Sequence, residues 1–227
     1  MTVGIIVQAR TGSSRLPAKV MMKADDKSLM IDYVINQLKY SKLHDDIVID
    51  TTNLQQDDVI FNHANNQNIS CFRGDEKNVL ERHYECAKKY AFSTIVDFII
   101  EKFQSNSYDY ISNFSVDMND DNRFIPSYPS GTEVEIFSFA ALENTWKNAT
   151  SEYDKEHVTP YIYNNREKFN IFTVKSERNL SQFRWALDYE TDLKLIRVII
   201  SKIQKRPILM NDILELFEQE PDLTKIN

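Results

Sequence analysis

The stretch from Ile5 to Val20 reads IIVQARTGSSRLPAKV. It belongs to an apolar run, Val3–Val7, whose unbroken pattern is typical of a strand that is buried on both faces. The run ends in a polar segment that carries three cations, Arg10, Arg15 and Lys19. Open α/β sheets bind ligands at the carboxyl ends of their strands, and arginine makes strong charge-assisted hydrogen bonds to phosphate oxygens. The stretch therefore predicts a polyphosphate site in an α/β fold.

Small and uncharged residues surround the three cations of this loop. They are Gln8, Ala9, Thr11, Gly12, Ser13 and Ser14. Amide and hydroxyl groups add hydrogen-bond donors for a phosphate. The sequence contains neither of the two glycine-rich nucleotide signatures, GxGxxG and GxxxxGKS/T, so an ordinary basic surface loop is a second interpretation.

Length, composition and charge limit the classes of function. A chain of 227 residues with 42% hydrophobic and 27% charged residues can bury one sizeable core, so we expect a single domain over residues 1–227. The formal net charge of −7 argues against a general nucleic-acid binder, which would present a basic face. A local basic pocket for phosphate is compatible with that charge.

Two further features concern location and redox state. No apolar run approaches the roughly 18 residues of a membrane span. Met1 leads directly into a predicted strand, so we expect no signal peptide and a cytoplasmic protein. Cys71 and Cys86 lack the spacing of metal ligands, which favours two reduced cysteines that pack in the fold.

Strands and helices alternate in the first part of the chain. Hydrophobic periodicity predicts strands at Val3–Val7, Ile47–Thr51 and Ile69–Phe72, and helices at Ser28–Tyr40, Asp57–Asn66 and Asn78–Tyr90. This order predicts an α/β fold with a doubly wound sheet and right-handed crossovers.

The alternation stops after the third helix. Ser93–Gln104 carries apolar residues at helical spacing, so we predict another helix there. Only Ala91 and Phe92 would then separate two helices, and a strand that the sheet needs would be missing near residues 91–94. The other interpretation makes Thr94–Ile100 that strand, but Asp97 interrupts its apolar run.

The second half of the chain is less regular. Strands are predicted at Tyr108–Asn113, in the alternating part of Tyr128–Phe137, at Phe169–Val174 and at Arg184–Leu187. Helices are predicted at Phe139–Asn148 with Ser138 as its cap, at Asp154–Asn164, after Asp188–Asp192, and at Met210–Gln219. The polar segment Phe114–Ser127 is predicted to be a loop.

Four acidic residues are candidates for a site or for helix ends. Asp188 follows the predicted strand Arg184–Leu187 at the carboxyl edge of the sheet, as a magnesium ligand or as the N-cap of the next helix. Asp192 fits the first turn of that helix, where it favours the helix dipole. Glu133 and Glu135 alternate along one strand and share a face, where they contact either a ligand or solvent.

Two further residues have both a functional and a structural interpretation. Arg82 follows the third strand and could reach a nucleotide or acceptor, or form helical salt bridges with Glu81 or Glu85. His157 is a lone histidine that could contact an acceptor, pack within the fold or pack against a second subunit.

The loop resembles the N-terminal signature of the SpsF-like cytidylyltransferases (spore coat polysaccharide biosynthesis protein F), which is roughly QARxxSxRLPxK. The matching residues are Gln8, Ala9, Arg10, Ser13, Arg15, Leu16, Pro17 and Lys19. Ala18 stands where these proteins usually have glycine. Three later strings also match the family pattern: YPxGxxVExF from Tyr128, EHVTPY from Glu156 and RWxxDxxxDL from Arg184.

The resemblance implies a Rossmann-like nucleotidyltransferase fold with a doubly wound mixed sheet, related to the synthetases of CMP-activated sugar acids. It implies transfer of CMP from CTP to a sugar acid or related acceptor in surface polysaccharide biosynthesis, with release of pyrophosphate. Mg²⁺ is the implied cofactor. Related sugar-acid cytidylyltransferases are commonly homodimers, so a homodimer is an open expectation here.

Position and resemblance together suggest a role for each candidate residue. Arg10, Arg15 and Lys19 would act in catalysis by stabilising the charge of the leaving pyrophosphate. Asp188 would bind the metal. The nucleotide would bind Gln8, Ala9, Arg10, Gly12, Ser13, Ser14, Arg15, Lys19 and Arg82. The acceptor would bind Tyr128, Glu135 and His157.

The chain departs from the family pattern between Phe92 and Thr94. A segment of roughly fifteen residues usually lies there, holding a strand and a Gly-Asp-x-Pro turn whose aspartate binds the metal. Either the gene lost this segment, or the protein carries residues there that this sequence omits. A true loss favours a second hypothesis, a catalytically inactive paralogue that binds nucleotide. A nucleotide-sugar glycosyltransferase ranks third, because the strings at Asp109 and Asp188 fail the DxD motif.

Overall fold

The structure, a computed structural model, describes residues 2–96, 108–117 and 123–227. These residues form nine strands: β1 (Val3–Gln8), β2 (Asp46–Thr52), β3 (Ser70–Gly74), β4 (Thr94–Val96), β5 (Tyr110–Ser112), β6 (Phe114–Asp117), β7 (Arg123–Pro126), β8 (Glu135–Ser138) and β9 (Ile171–Thr173). They also form eight α-helices: α1 (Met30–Leu38), α2 (Asp58–Asn66), α3 (Val79–Lys89), α4 (Phe139–Asn148), α5 (Glu152–His157), α6 (Pro160–Asn164), α7 (Glu190–Lys202) and α8 (Met210–Gln219).

Seven of these strands form one mixed sheet in the order β3-β2-β1-β4-β8-β5-β9. Strands β3, β2, β1 and β4 are parallel, and so are β5 and β9. Strand β8 is antiparallel to both of its neighbours, β4 and β5. The predicted α/β fold with a mixed sheet is confirmed.

The sheet has a hydrophobic core on each of its two faces. On one face Ile6 and Val48 pack with buried residues of α3. On the other face Ile5 and Ile49 pack with buried residues of α1 and α2. Successive residues of a strand point to opposite faces, so a strand with helices on both sides needs an unbroken apolar run. This is why Val3–Val7 carries that pattern.

The prediction of a helix over Ser93–Gln104 is wrong at its start, because Thr94–Val96 form β4 in the middle of the sheet. Helix α3 ends in a Schellman motif: Ala91 has a φ of 53°, and the Phe92 N–H donates to the Ala87 carbonyl at 2.9 Å. This compact helix end lets the chain enter a strand at once. The strand expected to be missing near residues 91–94 is therefore present. The rest of the predicted helix lies within residues 97–107, outside the described residues.

Two other predictions also differ from the structure. Part of the predicted loop Phe114–Ser127 forms the antiparallel pair β6–β7, in which Phe114 and Val116 are buried. The segment predicted as a strand at Arg184–Leu187 instead makes a single bridge, between Arg184 and Ser130. Its apolar residues pack under α7 and α8 without a strand partner along their length.

The ends of three helices agree with the sequence analysis. Ser138 caps α4, since its hydroxyl accepts the Ala141 N–H at 3.0 Å. Asn78 caps α3, since its side chain accepts the Glu81 N–H at 3.1 Å. Helix α8 has the predicted bounds, Met210–Gln219.

The described helices include none that is long and apolar enough to cross a membrane. Cys71 and Cys86 are both free thiols. Burial raises the pKa of Cys71 to about 11 and raises the pKa of Cys86 as well. Both cysteines are therefore protonated packing residues, as predicted.

Candidate active site

The predicted phosphate loop starts at the carboxyl end of β1, and Thr11 anchors it. The Thr11 N–H and hydroxyl both donate to Asp57 Oδ1, at 2.7 and 2.6 Å. The other carboxylate oxygen of Asp57 accepts the Thr52 hydroxyl at the end of β2. Because Asp57 is fully buried, these bonds tie the loop firmly to the neighbouring strand. The sequence analysis missed Asp57, although an acidic residue at the start of a predicted helix is a visible signal.

The loop closes around the Thr11 carbonyl, which accepts the N–H groups of Ser13 and Ala18 at 2.8 and 2.9 Å. Ala18 has φ 54° and ψ 25°. This left-handed conformation costs a residue with a Cβ roughly 1–2 kcal/mol. The conformation gives a physical reason for the glycine that the resembled pattern has at this position.

Asp188 joins the loop to the start of α7. Its Oδ1 accepts hydrogen bonds from Arg15 at 3.0 Å and Lys19 at 2.8 Å. Its Oδ2 accepts one from Arg184 at 2.9 Å. The hydrogen bonds from Lys19 and Arg184 lower the pKa of the Asp188 carboxyl. Two predicted loop cations and the predicted metal ligand thus meet, although Lys19 and Asp188 are 169 positions apart.

The remaining predicted loop residues surround this cluster. Arg10 is half-buried on the same loop, and within the described ion pairs it is not joined to Asp188. Ala9 is buried and its N–H donates to the Asp50 carbonyl at 3.0 Å. Three further residues, Gln8, Gly12 and Ser14, are exposed. The loop therefore presents exposed polar groups next to Arg15 and Lys19, the two cations that pair with Asp188.

Asp192 holds Asp188 in position. Its Oδ2 accepts the N–H groups of Asp188 and Tyr189, at 2.8 and 3.0 Å, and Arg184 lies 3.2 Å away. Tyr189 is the N-cap residue of α7, so the interpretation of Asp188 as that cap is wrong. Asp192 occupies the first turn of α7, where it was expected.

A magnesium ion would find one carboxylate here. Within residues 2–96, 108–117 and 123–227, no group of three or more His, Cys, Asp or Glu side chains could hold a metal. The Asp188 side chain is 17% exposed and lies beside the loop cations. Magnesium at phosphates commonly takes one or two carboxylates and completes its shell with phosphate oxygens and water. Asp188 fits that role as a single protein ligand.

Arg82 lies inside the protein, away from the loop surface. Its guanidinium donates to Asp50 Oδ2 at 2.9 Å and to the Asp75 carbonyl at 2.7 Å. Both side chains of the Arg82–Asp50 pair are 0% exposed. In the described ion pairs Arg82 pairs with Asp50, and not with Glu81 or Glu85 as its helical spacing suggested. Contact of Arg82 with a nucleotide stays a prediction that this burial does not favour.

A cleft of about 320 Å³ opens beside the end of β1. Its polar wall consists of Gln8, His83, Glu135, His157 and Thr159. Its apolar wall consists of Ile6, Val7, Val34, Leu38, Ile95, Phe137 and Val158. Two of the predicted acceptor-binding residues, Glu135 and His157, therefore share one cavity. Tyr128 is not among the described residues that line it, and the sequence analysis did not predict His83 or Thr159 there.

Glu135 is half-buried at the start of β8. Its Oε1 accepts the hydroxyl groups of Tyr110 at 2.5 Å and Thr159 at 2.6 Å. Desolvation raises the pKa of the Glu135 carboxyl, and the two hydroxyl bonds oppose this shift. Because β8 lies between β4 and β5, the interpretation of Glu135 as a solvent-facing residue on an edge strand is wrong. Glu133, by contrast, is exposed.

The EHVTPY string forms a break between α5 and α6, where a continuous helix over Asp154–Asn164 was predicted. Val158 has φ 65° and ψ −58°, and the Thr159 N–H donates to the His157 carbonyl at 2.8 Å. This is a γ-turn of the rare, strained kind. Such strain costs roughly 1–3 kcal/mol and clusters at functional sites. The turn directs Thr159 to Glu135 and leaves His157 on the cleft.

Known proteins resemble this chain over nearly its whole length. The family model described as Cytidylyltransferase matches residues 4–219. An uncharacterized protein of Methanocaldococcus jannaschii is 32% identical, over 98% of this chain and 93% of that protein. The spore coat polysaccharide biosynthesis protein SpsF of Bacillus subtilis is 27% identical, over 96% of this chain and 94% of that protein.

Solved structures show the same relationship. A cytidylyltransferase from Leptospira borgpetersenii has a TM-score of 0.88 and 28% identity, and the match covers 99% of this chain and 97% of that one. A CMP:2-keto-3-deoxy-manno-octonic acid synthetase complexed with CTP has a TM-score of 0.65 over 89% of this chain and 99% of that one. Its 13% identity shows the shared fold alone. With its mixed sheet and cationic loop, the chain belongs to the cytidylyltransferase family, the enzymes that use CTP as the nucleotidyl donor.

Proposed function

We propose that this protein transfers CMP from CTP to a sugar acid or related acceptor and releases pyrophosphate. We place this reaction in the cytoplasm, in the biosynthesis of a surface polysaccharide or glycoconjugate. The observation that carries the proposal is the convergence of Arg15, Lys19 and Arg184 on Asp188. These residues lie on and beside a loop that begins at Gln8, a residue of the cleft wall.

The loop suits a triphosphate because its cations are held without being buried. The Arg15 and Lys19 side chains are 55% and 27% exposed, and both pair with one carboxylate. A triphosphate carries several negative charges and can compete with Asp188 for these cations. Arg10 adds a third cation from the same loop. Together they would stabilise the charge that develops on the leaving pyrophosphate.

The uncharged loop residues would complete the nucleotide site. Gln8, Ala9, Gly12, Ser13 and Ser14 would bind the nucleotide through backbone N–H groups and short polar side chains. The bonds from Thr11 to Asp57 hold this backbone before the nucleotide arrives. Such preorganisation means that the donors need not reorganise during the reaction.

Magnesium belongs to the proposal, with Asp188 as its protein ligand. When bound, the ion would offset negative charge at the reacting phosphate. Arg184 contacts the Asp188 carboxylate directly, and Asp192 holds the Asp188 backbone through its N–H. These contacts hold the Asp188 carboxylate at the start of α7, where it faces the loop cations.

The acceptor would lie in the cleft, where Glu135 and His157 offer hydrogen-bonding groups. Its hydroxyl would attack the α-phosphorus directly, and the bond from that phosphorus to the pyrophosphate would break. The resemblance to sugar-acid cytidylyltransferases suggests a sugar acid as the acceptor, and the name of the polysaccharide biosynthesis protein SpsF supports a role in polysaccharide biosynthesis. Tyr128 remains a predicted acceptor residue outside the described lining of the cleft.

We also propose that the protein forms a homodimer. The support is the resemblance to sugar-acid cytidylyltransferases. Analytical ultracentrifugation of the purified protein tests this part, and a monomer at all concentrations would contradict it.

The proposed reaction is tested by measuring pyrophosphate release from CTP, Mg²⁺ and a panel of sugar acids that includes 2-keto-3-deoxy-manno-octonic acid. We expect release that requires a sugar acid and that stops when UTP or ATP replaces CTP. Release with no acid would indicate hydrolysis instead of transfer. Retained CTP binding without release for any acid would favour the inactive nucleotide-binding paralogue, the hypothesis that the departure between Phe92 and Thr94 raised.

A further inference from the structure

A carboxylate–imidazole pair lies next to the start of the phosphate loop. Nδ1 of His83, on α3, is 2.9 Å from Asp50 Oδ2 at the carboxyl end of β2. The Asp50 carbonyl accepts the N–H of Ala9, the residue that follows β1. The pair is therefore fixed to the strand ends from which the loop begins.

The atoms of the His83 ring lie in different surroundings. Nδ1 is buried 2.9 Å from Asp50 Oδ2, close enough for an ion pair, although the two groups are not aligned for a hydrogen bond. The side chain as a whole is 11% exposed, and it lines the cleft together with Glu135 and His157. The exposed part of the ring consequently belongs to its other atoms, and it forms part of the cleft wall.

The charge of Asp50 favours one position for the proton on the neutral His83 ring. Asp50 is 0% exposed, and Arg82 compensates its charge through the bond from Nε at 2.9 Å. A carboxylate next to Nδ1 favours the neutral tautomer with its proton on that nitrogen. Nε2 then keeps a lone pair, which is the state of a histidine that can accept a proton.

We propose that His83 is a catalytic base whose Nε2 accepts the proton of the acceptor hydroxyl, while the charge of Asp50 beside Nδ1 favours a proton on that other nitrogen. This inference rests on the proposed transfer reaction. As the acceptor oxygen bonds to the α-phosphorus, its proton moves to Nε2 and the bond from that phosphorus to pyrophosphate breaks. The imidazolium is stabilised by Asp50 and returns the proton to water after the products leave.

The other charged and titratable groups around His83 suit this role less well. They are Asp50 on β2, Arg82 on α3, Glu135 on β8 and His157 at the end of α5. One oxygen of Glu135 already accepts two hydroxyl groups. His157 is exposed and its ring packs 4.5 Å from that of Tyr153, and no carboxylate orients it in the described ion pairs.

The test compares His83→Gln with a matched control, His63→Gln. His63 also pairs with a carboxylate, since its Nε2 lies 2.6 Å from Asp32 Oδ1, but it lies outside the cleft. Both variants are assayed for pyrophosphate release with CTP and 2-keto-3-deoxy-manno-octonic acid, or with the sugar acid of the panel that reacts fastest. Rates are recorded from about pH 5 to pH 9, the range over which histidine changes charge.

We expect His83→Gln to lower kcat by roughly 10²–10⁴-fold without changing the KM for CTP. The unmodified enzyme should slow as the pH falls, because a protonated imidazole cannot accept a proton, and the His83→Gln variant should lack this acid limb. His63→Gln should keep both the rate and the limb. A His83→Gln enzyme with normal kcat and a normal acid limb would overturn the base role and leave the transfer function standing. A protein that binds CTP and turns over no sugar acid would overturn the proposed function, and the base role with it.

Ring-nitrogen NMR of the unmodified protein tests the same inference without turnover. We expect the neutral His83 ring to carry its proton on Nδ1 and to have a bare Nε2. A neutral ring with its proton on Nε2 would overturn the base role. This measurement also decides the question if circular dichroism shows that His83→Gln does not fold.

Discussion

At Arg15 the proposed role in phosphate binding can be separated from any role in folding. Its side chain is 55% exposed, and its contact to Asp188 is a surface ion pair of a kind that contributes about 0–1 kcal/mol. We expect Arg15→Ala to leave the free energy of unfolding nearly unchanged. We expect it to slow pyrophosphate release by roughly 10²–10³-fold, because it removes a donor to the leaving group. Urea denaturation and steady-state kinetics measure the two effects.

The matched control is Arg178→Ala. Arg178 is 71% exposed and lies 4.0 Å from Glu218 in a second surface ion pair. We expect this variant to change neither stability nor rate. A normal rate in Arg15→Ala would remove Arg15 from the site.

Asp188 links metal dependence to pH dependence. The hydrogen bond from Lys19 lowers the pKa of Asp188 below its ordinary value of 3.8. The ionised carboxylate therefore stabilises the folded protein above pH 3.8, and this contribution is lost as the pH falls through the lowered pKa. Asp188→Asn should remove that acid-dependent part of the free energy of unfolding, and it should raise the Mg²⁺ concentration needed for half-maximal rate.

Two titrations check the Asp188→Asn prediction. Mg²⁺ titration of the rate measures the metal response, and urea denaturation between about pH 3 and pH 7 measures the linkage. Reduced stability with a normal Mg²⁺ response would restrict Asp188 to a structural role.

Glu135 should show a conflict between stability and activity. Desolvation raises the pKa of Glu135 above its ordinary value of 4.5, so ionisation destabilises the folded protein. The destabilisation is absent below pH 4.5 and complete above the raised pKa. Glu135→Gln should therefore raise the Tm at pH 7 and slow pyrophosphate release. A lower Tm at pH 7, as measured by calorimetry, would contradict this account.

Among the structural elements, the turn before β8 depends on a single glycine with a positive φ. Gly131 has φ 95°, and a Cβ there would lie 2.3 Å from the Ala186 nitrogen. The adjacent Ser130 bridges to Arg184, which holds Asp188. We expect Gly131→Ala to lower the free energy of unfolding by about 2 kcal/mol or more and to reduce activity through Arg184.

Gly12→Ala is the control for that prediction in urea denaturation. A Cβ on Gly12 would meet the flexible end of Gln56 at 3.2 Å, so little should change in stability. Equal stability of Gly131→Ala and the unmodified protein would show that the turn tolerates a side chain.

The elements were predictable where local signals agreed. Helices α4 and α8 have both an apolar face and clear end signals, and their predicted bounds match the structure. At Thr94–Val96 the apolar spacing predicted a helix, but these residues form β4, the strand between β1 and β8. Backbone pairing with two neighbouring strands outweighs helical periodicity over three residues.

At the scale of the whole molecule, the site is assembled from distant parts of the chain. The order of strands puts the ends of β1 and β2 side by side, so Asp57 can hold Thr11 and Asp50 can hold Ala9. The packing of α7 against the loop brings Asp188 to Lys19. Ala9, Thr11, Arg15 and Lys19 thus each have a partner from another element, and these contacts restrain the loop.

The class of fold and the chemistry of the ligand could be inferred from the sequence alone, because the residues that indicate them are contiguous. An apolar run followed directly by Arg10, Arg15 and Lys19 indicates a strand that ends in a phosphate loop. The partners of those cations could not be inferred in the same way. Asp57, Asp188 and the pair Asp50–His83 face the loop and cleft only because strand order and burial bring them there. Contacts across such sequence distances leave no periodic trace in the chain, so the geometry of the site comes from the folded molecule.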